Sequence, residues 1–400
     1  MRKLARGEEA EPLPPWLQVI GLAAAAAVGL GLARFAYALI LPDMRADLGW
    51  SYSTAGWLNT TNALGYLAGA LLAARVNRKV GAFSAMQIGV WLCVGSLAFC
   101  IVLRDPITLN LARILAGIGA GFAFVGGGFL AARIASQNEG NAILLGLFYA
   151  GPGFGIALSG VTVPFVFHAG GAGSWPLAWA LLAVLSAILG VILLLGQPHC
   201  MGTAPSGTGT KARIGKMSPI LIGYGFFGAG YIGYLTFVIA WVRENGASLP
   251  LQSGLWTVVG LGAMVSPWLW GGFMKRNGNG TAFAILSLLL AAATSLVALS
   301  QSPIVLFVSA TMVGATFLAV VASTTAFVRR NFAAEHWSAG ISAMTIAFGI
   351  GQILGPVGVG FLSDVTGGVS AGQWISTGLL IAGAGIASSQ RDFGQTAYSS

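Results

Sequence analysis

An all-α membrane protein of twelve transmembrane helices, arranged as two pseudo-symmetric six-helix bundles, is the fold class this sequence predicts. Three observations predict it. The first is composition: the 400 residues are 56% hydrophobic and 8% charged, with a mean hydropathy of +0.81, whereas a soluble globular chain carries about 25% charged residues. The second is recurrence: apolar runs near the ~20 residues needed to cross a bilayer appear twelve times, separated by short polar breaks. The third is internal repetition. At an offset of 198, Gly56 meets Gly254, Asn59 meets Thr257, Gly69 meets Pro267 and Leu71 meets Leu269; at 199, Gly29-x-Gly31 meets Gly228-x-Gly230. A near-constant offset over half the chain is the mark of two parallel repeats.

The first span, 17–41, holds an arginine, Arg34, about two turns before Pro42, which is expected to stop the helix. A guanidinium at that depth costs at least ~2.5–3.5 kcal/mol, so such a residue faces a protein interior or a wet cavity rather than lipid. The following spans are expected at 53–74, 81–103, 108–132, 142–167 and 175–195. A linker rich in Gly, Ser, Thr and Pro, 196–218, with Lys211, Arg213 and Lys216, reads as flexible. The remaining spans are 219–242, 251–274, 280–300, 304–328, 338–362 and 372–389. Domains of 1–195 and 219–400 on either side of the linker follow. The basic N-terminus resembles a signal peptide only superficially, because Glu8, Glu9 and Glu11 interrupt it and the apolar run is too long.

The net charge of +9 would suggest nucleic acid in a soluble protein, but here the basic residues fall in short loops. With the N-terminus inside, fifteen of the twenty Lys and Arg lie in inner segments, three in outer loops and two, Arg34 and Arg113, within spans. That bias puts both termini in the cytoplasm. Cys93, Cys100 and Cys200 form no metal or disulfide pattern, and His168, His199 and His336 are scattered. No metal, cofactor or nucleic-acid partner is expected.

The fourth span carries Arg113 followed by Ala116, Gly117, Gly119 and Gly121. The glycines allow close helix contact. The arginine either lines a cavity or hydrogen-bonds neighbouring carbonyls. Gly151-Pro152 in the fifth span and Gly355-Pro356 in the eleventh each free a backbone carbonyl, in corresponding helices. They serve as hinges of a moving interface or as plain tight packing.

Twelve spans in a six-plus-six repeat, the Arg113 motif and the paired Gly-Pro motifs resemble the major facilitator superfamily. The stretch GLGLARFAYALILPDM (29–44), FGIGQILGPVGVG (348–360) and Asp364-x-Thr366-Gly367 are similar to its bacterial YbfB/YjiJ-type branch. The resemblance covers the whole chain. It implies alternating access in a bacterial inner membrane, by a monomer, with no implied cargo. One motif departs: the superfamily's loop after span two reads Gly-x-Leu-Ala-Asp-Arg-x-Gly-Arg-Lys, while 69–78 reads GALLAARVNR, with Ala73 in place of the acid. An ion pair from that acid to a base such as Arg133 cannot form.

In this fold spans 1, 4, 7 and 10 line the cavity, helped by 2, 5, 8 and 11. Candidate substrate residues are then Arg34, Tyr37, Asn59, Asn62, Arg113, Tyr149, Tyr231, Tyr234 and Gln352, with Tyr66, Tyr224 and Thr345 on or near the same faces. All eleven acids lie at termini, in loops or at span ends. A cavity with two arginines and no carboxylate is electropositive, so the expected cargo is a small organic anion held by charge-assisted hydrogen bonds. Coupling would be by exchange, or by a proton on the substrate or on an outer Asp. The alternative is an exporter of neutral or cationic drugs or metabolites, which the Gly-Pro element of span five suggests. An enzyme would need a nucleophile, base or metal set, and none of His-Glu-x-x-His, Gly-x-Ser-x-Gly or a phosphate loop occurs.

Overall fold

A computed structural model describes residues 13–138, 140–197, 214–277 and 279–393. The N-terminal acids and bases at 2–11, Glu139, His199, Cys200, Lys211 and Arg213 lie outside the described residues.

Among the described residues the long helical segments are α1 (Pro15–Leu48), α2 (Tyr52–Val80), α3 (Ala82–Val102), α4 (Pro106–Gln137), α5 (Ala142–Gly170), α6 (Trp175–Gly196), α7 (Ser218–Glu244), α8 (Leu249–Leu269), α9 (Thr281–Leu299), α10 (Pro303–Asn331), α11 (Trp337–Thr366) and α12 (Val369–Ser388). Eleven of them are long and apolar enough to cross a membrane. The twelfth is α2, whose hydropathy is lowered by Asn59, Thr60, Thr61, Asn62 and its basic last turns. Starts are set by local chemistry. Ser51 and Asp105 accept the amides of Thr54 at 3.1 Å and Thr108 at 2.9 Å, and Pro106 and Pro303 open their helices, where a missing N–H costs nothing.

The first span departs from expectation. Pro42 does not stop the helix, which continues to Leu48 and ends at Gly49 with φ 63°. Proline removes only one bond there, and the surrounding helices hold the rest of the turn. Upstream, Ala27–Phe35 is a π-helix, closed by Ala36 N–H donating to the Gly31 carbonyl at 3.0 Å. All nine of its residues are buried. The glycines let it wind wide without side-chain clash: a Cβ on Gly31 would lie 2.8 Å from the carbonyl carbon of Gly155 in α5, and one on Gly29 3.1 Å from Cα of Ala120 in α4.

The same packing scheme is used twice. In the N-terminal bundle α1 lies on α5 through Gly31 and Gly155, and α2 on α4 through Gly65, whose added Cβ would be 3.0 Å from Cα of Ile114. In the C-terminal bundle α7 lies on α11 through Gly355, 2.9 Å by the same measure from Cα of Ala229, and α8 on α10 through Gly262, 2.8 Å from the amide of Ala315. Backbone contact of this kind maximises dispersion where lipid supplies no hydrophobic drive.

The bundles meet along α2–α11 and α5–α8. One end of the molecule gathers the start of α1 against the end of α6 (Gly21 on Gly196), and the end of α12 against the linker and α9 (Gln390 to Lys216 and Gly280). This is the terminus end. The opposite, loop end is sealed by polar contacts across the bundles. Asp364 of α11 accepts from the amides of Tyr52 at 2.7 Å and Ser53 at 2.9 Å, and from the Ser53 hydroxyl, capping α2 from outside its own bundle. Arg45 pairs with Glu244 at 3.3 Å, and the Tyr52 hydroxyl also donates to Glu244. Further along, the Thr60 hydroxyl donates to the Ile353 carbonyl at 2.9 Å.

Candidate functional site

Each first helix of a bundle carries two polar residues three positions apart, Arg34 and Tyr37 in α1, Tyr231 and Tyr234 in α7. The second member of each pair turns into its own bundle. Tyr37 donates to the Ala55 carbonyl at 2.8 Å and stacks on Trp179 of α6 with ring centroids 6.1 Å apart. Tyr234 packs among α8, α9 and α10 beside Trp256, Val297 and Leu306, around a void of about 20 Å³. Both lie away from the surface where the bundles face each other.

The first members face the molecular centre. Arg34 is buried, with its guanidinium carbon 5.0 Å from the ring centroid of Tyr66 in α2 and 5.8 Å from that of Phe35. Its Nε and Nη2 are buried and have no hydrogen-bond partner. Those two nitrogens share one edge of the guanidinium, the edge that grips a carboxylate through two parallel bonds. From the other bundle Tyr231 is near enough to feel the Arg34 charge, and its hydroxyl is met by Nε2 of Gln352 in α11. The second amide atom of Gln352 is buried and unpartnered. Asn59 spans the interface one level towards the loop end, its Nδ2 donating to the Thr236 hydroxyl at 2.6 Å, while its own oxygen has no partner.

Arg113 is placed otherwise than a cavity-lining reading expects. It lies inside the N-terminal bundle, where Nη1 donates to the Ala33 carbonyl of the π-helix at 2.6 Å and the guanidinium sits 5.4 Å from the rings of both Tyr37 and Trp179. Cys100, Arg34 and Cys93 also lie within electrostatic reach of it. Asn62 serves the same cluster, donating to the Arg113 carbonyl at 3.1 Å. Of the two alternatives for Arg113, carbonyl bonding is the one described. The Thr345 hydroxyl is used on its own helix, at Ile341. Tyr149 stands apart from Arg34, edge-on to Phe124 and Phe148 and 39% exposed.

The two Gly-Pro pairs are placed alike. Gly355 faces Ala229 of α7 within its own bundle, while the Pro356 carbonyl meets Gly56 of α2 across the interface. Gly151 faces α1 within its own bundle, while Gly153, two residues on, packs against Gly260 and Met264 of α8 across the interface.

The sequence singles out Tyr224 and Tyr231 of the rings that complete the centre, but not Phe227, Phe317 or Phe35. Tyr231 stacks with Phe227 (4.9 Å, 8°), Phe348 (5.6 Å, 8°) and Phe317 (6.1 Å, 15°), and Phe348 with Tyr224 (4.7 Å, 12°). Phe35 reaches Phe317 edge-on at 5.8 Å, carrying the cluster across to α1. The spacing of Tyr224, Phe227 and Tyr231 on one helical face was the available signal; Phe348 opens the 348–360 stretch, and Phe317 gave no signal beyond being apolar.

Residues 26–388 match the family described as "Uncharacterised MFS-type transporter YbfB". Among curated proteins, the "Uncharacterized MFS-type transporter YttB" of Bacillus subtilis (strain 168) is 25% identical over 241 residues, 57% of this chain and 58% of that one, so the match spans under two thirds of that relative. The "Chloramphenicol resistance protein" of Streptomyces lividans is 24% identical over 394 residues, 93% and 94% of the two chains. Among solved structures, the nucleoside transporter NupG superposes with a TM-score of 0.71 at 15% identity, covering 93% of this chain and 96% of that one. A bacterial homolog of the human lysosomal transporter Spinster, inward-facing and unoccupied, gives 0.70 at 14%, covering 93% and 96%. A bacterial homologue of the human drug peptide transporters PepT1 and PepT2 gives 0.72 at 14%, with the same coverage. At such identities these structures share the fold alone. With twelve long helices in two repeated bundles and a family match from the first span to the last, the chain belongs to the YbfB-type family of major facilitator superfamily transporters and is a multi-pass membrane transporter, not an enzyme.

Proposed function

We propose that this transporter is a secondary carrier of a small organic anion across the bacterial inner membrane, with both termini in the cytoplasm. The observation that carries the anion is Arg34: a buried guanidinium with a two-donor edge that has no partner, carboxylate or other, among the described residues. Stacking on Tyr66 offsets part of the desolvation, on the order of 2 kcal/mol. An isolated buried charge costs more than that unless paired, and an anionic ligand is the natural partner. The charge bias of the loops supports the orientation. In that orientation the sealed loop end is periplasmic and the binding centre serves the cytoplasmic side. The Tyr231 hydroxyl donates to the anion, the free oxygens of Gln352 and Asn59 accept from N–H or O–H groups elsewhere on the ligand, Gly355-Pro356 and Gly151-Pro152 act as the hinges, and one chain suffices because the pathway lies between its own bundles.

A second reading, export of a neutral or cationic drug, is favoured by the Streptomyces lividans relative, whose name records chloramphenicol resistance. Ligand sign separates the two. In proteoliposomes the anion reading expects uptake of organic acids that Arg34→Ala abolishes and Arg34→Lys reduces, since lysine keeps the charge but not the two-pronged edge. Transport of lipophilic cations, unchanged in Arg34→Ala, would replace it with the second reading.

A further inference from the structure

From the ring geometry beside Arg34 we infer that the cargo is a flat aromatic or heteroaromatic carboxylate; this rests on the anion reading above. Two observations converge. The unpartnered Nε–Nη2 edge of Arg34 fits a planar carboxylate in its own plane. A set of nearly parallel rings connects to Arg34 through Phe35, and its Tyr231 is near enough to feel the Arg34 charge. Tyr231 is within 8° of Phe348 and 15° of Phe317.

This order is not general to the bundle. The other ring contacts of the C-terminal half are steep: Tyr224 to Phe283 is at 88°, Phe227 to Phe283 at 73°, and Trp270 to Phe273 at 69°. The parallel set occupies the faces of α7, α10 and α11, and it reaches α1 through Phe35 against Phe317. A flat ring stacked on this parallel set extends it by one more layer. An aliphatic or globular acid gains no offset stacking from it. The Tyr66 ring beside Arg34 adds a wall from the opposite bundle. The free amide oxygen of Gln352 accepts from an N–H or O–H group on the ring. Aromatic anions therefore use both halves of the site, and both halves belong to elements that move apart in alternating access.

The test is calorimetric titration of the full chain in lipid nanodiscs with benzoate, cyclohexanecarboxylate and benzamide. The first pair differs in ring flatness at constant charge; benzoate and benzamide differ in charge at a constant ring. The expected result is that benzoate binds about fivefold tighter than cyclohexanecarboxylate and that benzamide does not compete. Phe348→Leu should weaken benzoate more than cyclohexanecarboxylate and close the gap, with the melting temperature recorded to confirm folding. Equal affinity of the two acids, or a gap untouched by Phe348→Leu, overturns the aromatic inference and leaves the anion reading standing. Benzamide binding as tightly as benzoate overturns the anion reading itself, and failure of both acids to bind overturns both.

Discussion

Arg34 and Arg113 are chemically alike, equally buried and both missing partners for Nε and Nη2. Their surroundings give them different work. Arg113 is fixed by the Ala33 carbonyl and two aromatic faces within one bundle; Arg34 has only ring faces and looks across to the other. A buried unpaired cation carries an uncompensated desolvation cost, which an apolar residue of similar volume removes. Arg34→Met should therefore melt at or above the parent temperature while losing anion transport, a trade expected at a functional site. Arg113→Met should retain transport, measured in the same vesicles. Tyr37→Phe should cost about 1 kcal/mol of stability through the lost bond to Ala55 and leave ligand affinity alone. The two arginines were legible in the sequence as anomalies in apolar runs. Which way each turned was not, because the deciding partner of Arg113 is a main-chain oxygen from another helix, and carbonyls leave no trace in a residue pattern.

At the scale of elements, α2 and α11 form one of the two seams along which the bundles meet. Asp364 caps α2 across that seam, accepting two amides and a hydroxyl, and Gly56 lets the Pro356 carbonyl approach. Asp364→Asn removes the charge that complements the positive start of α2. Together with Gly56→Leu it should shift the population towards an open loop end. Spin labels at Ile107 and Ile304, exposed at the loop-end starts of α4 and α10, should move apart by pulsed-resonance distance measurement; an unchanged distance would assign the opening to α5–α8 instead. Asp364 stood out in sequence only as part of a short motif, since its partners are some 310 positions away. Helix limits were mostly readable from apolar length and from caps such as Asp105 before Pro106. Pro42 misled because a proline's local preference yields when neighbouring helices satisfy the turn it weakens.

For the molecule as a whole, the six-plus-six repeat visible at offsets of 198 and 199 reappears as matched glycine contacts, α1–α5 with α7–α11 and α2–α4 with α8–α10. The architecture was legible because it is written in hydropathy and small residues. The parallel set of rings was not, since stacking angles depend on how helices rotate about their axes. The basic bias of the termini and of the loops beside them predicts that a fluorescent-protein fusion at the C-terminus glows in cells and that an alkaline phosphatase fusion there is inactive; the reverse pair would invert the proposed direction of access.

The π-helical stretch of α1 has one more consequence. Every bond it closes encloses an extra residue, so the two halves of that helix are out of phase, like a screw thread cut with a dislocation. Arg34 stands near the end of the dislocated stretch. Deleting a single alanine from Ala23–Ala27 removes the surplus residue, and the winding relaxes to the ordinary pitch while the guanidinium keeps its place beside Tyr66.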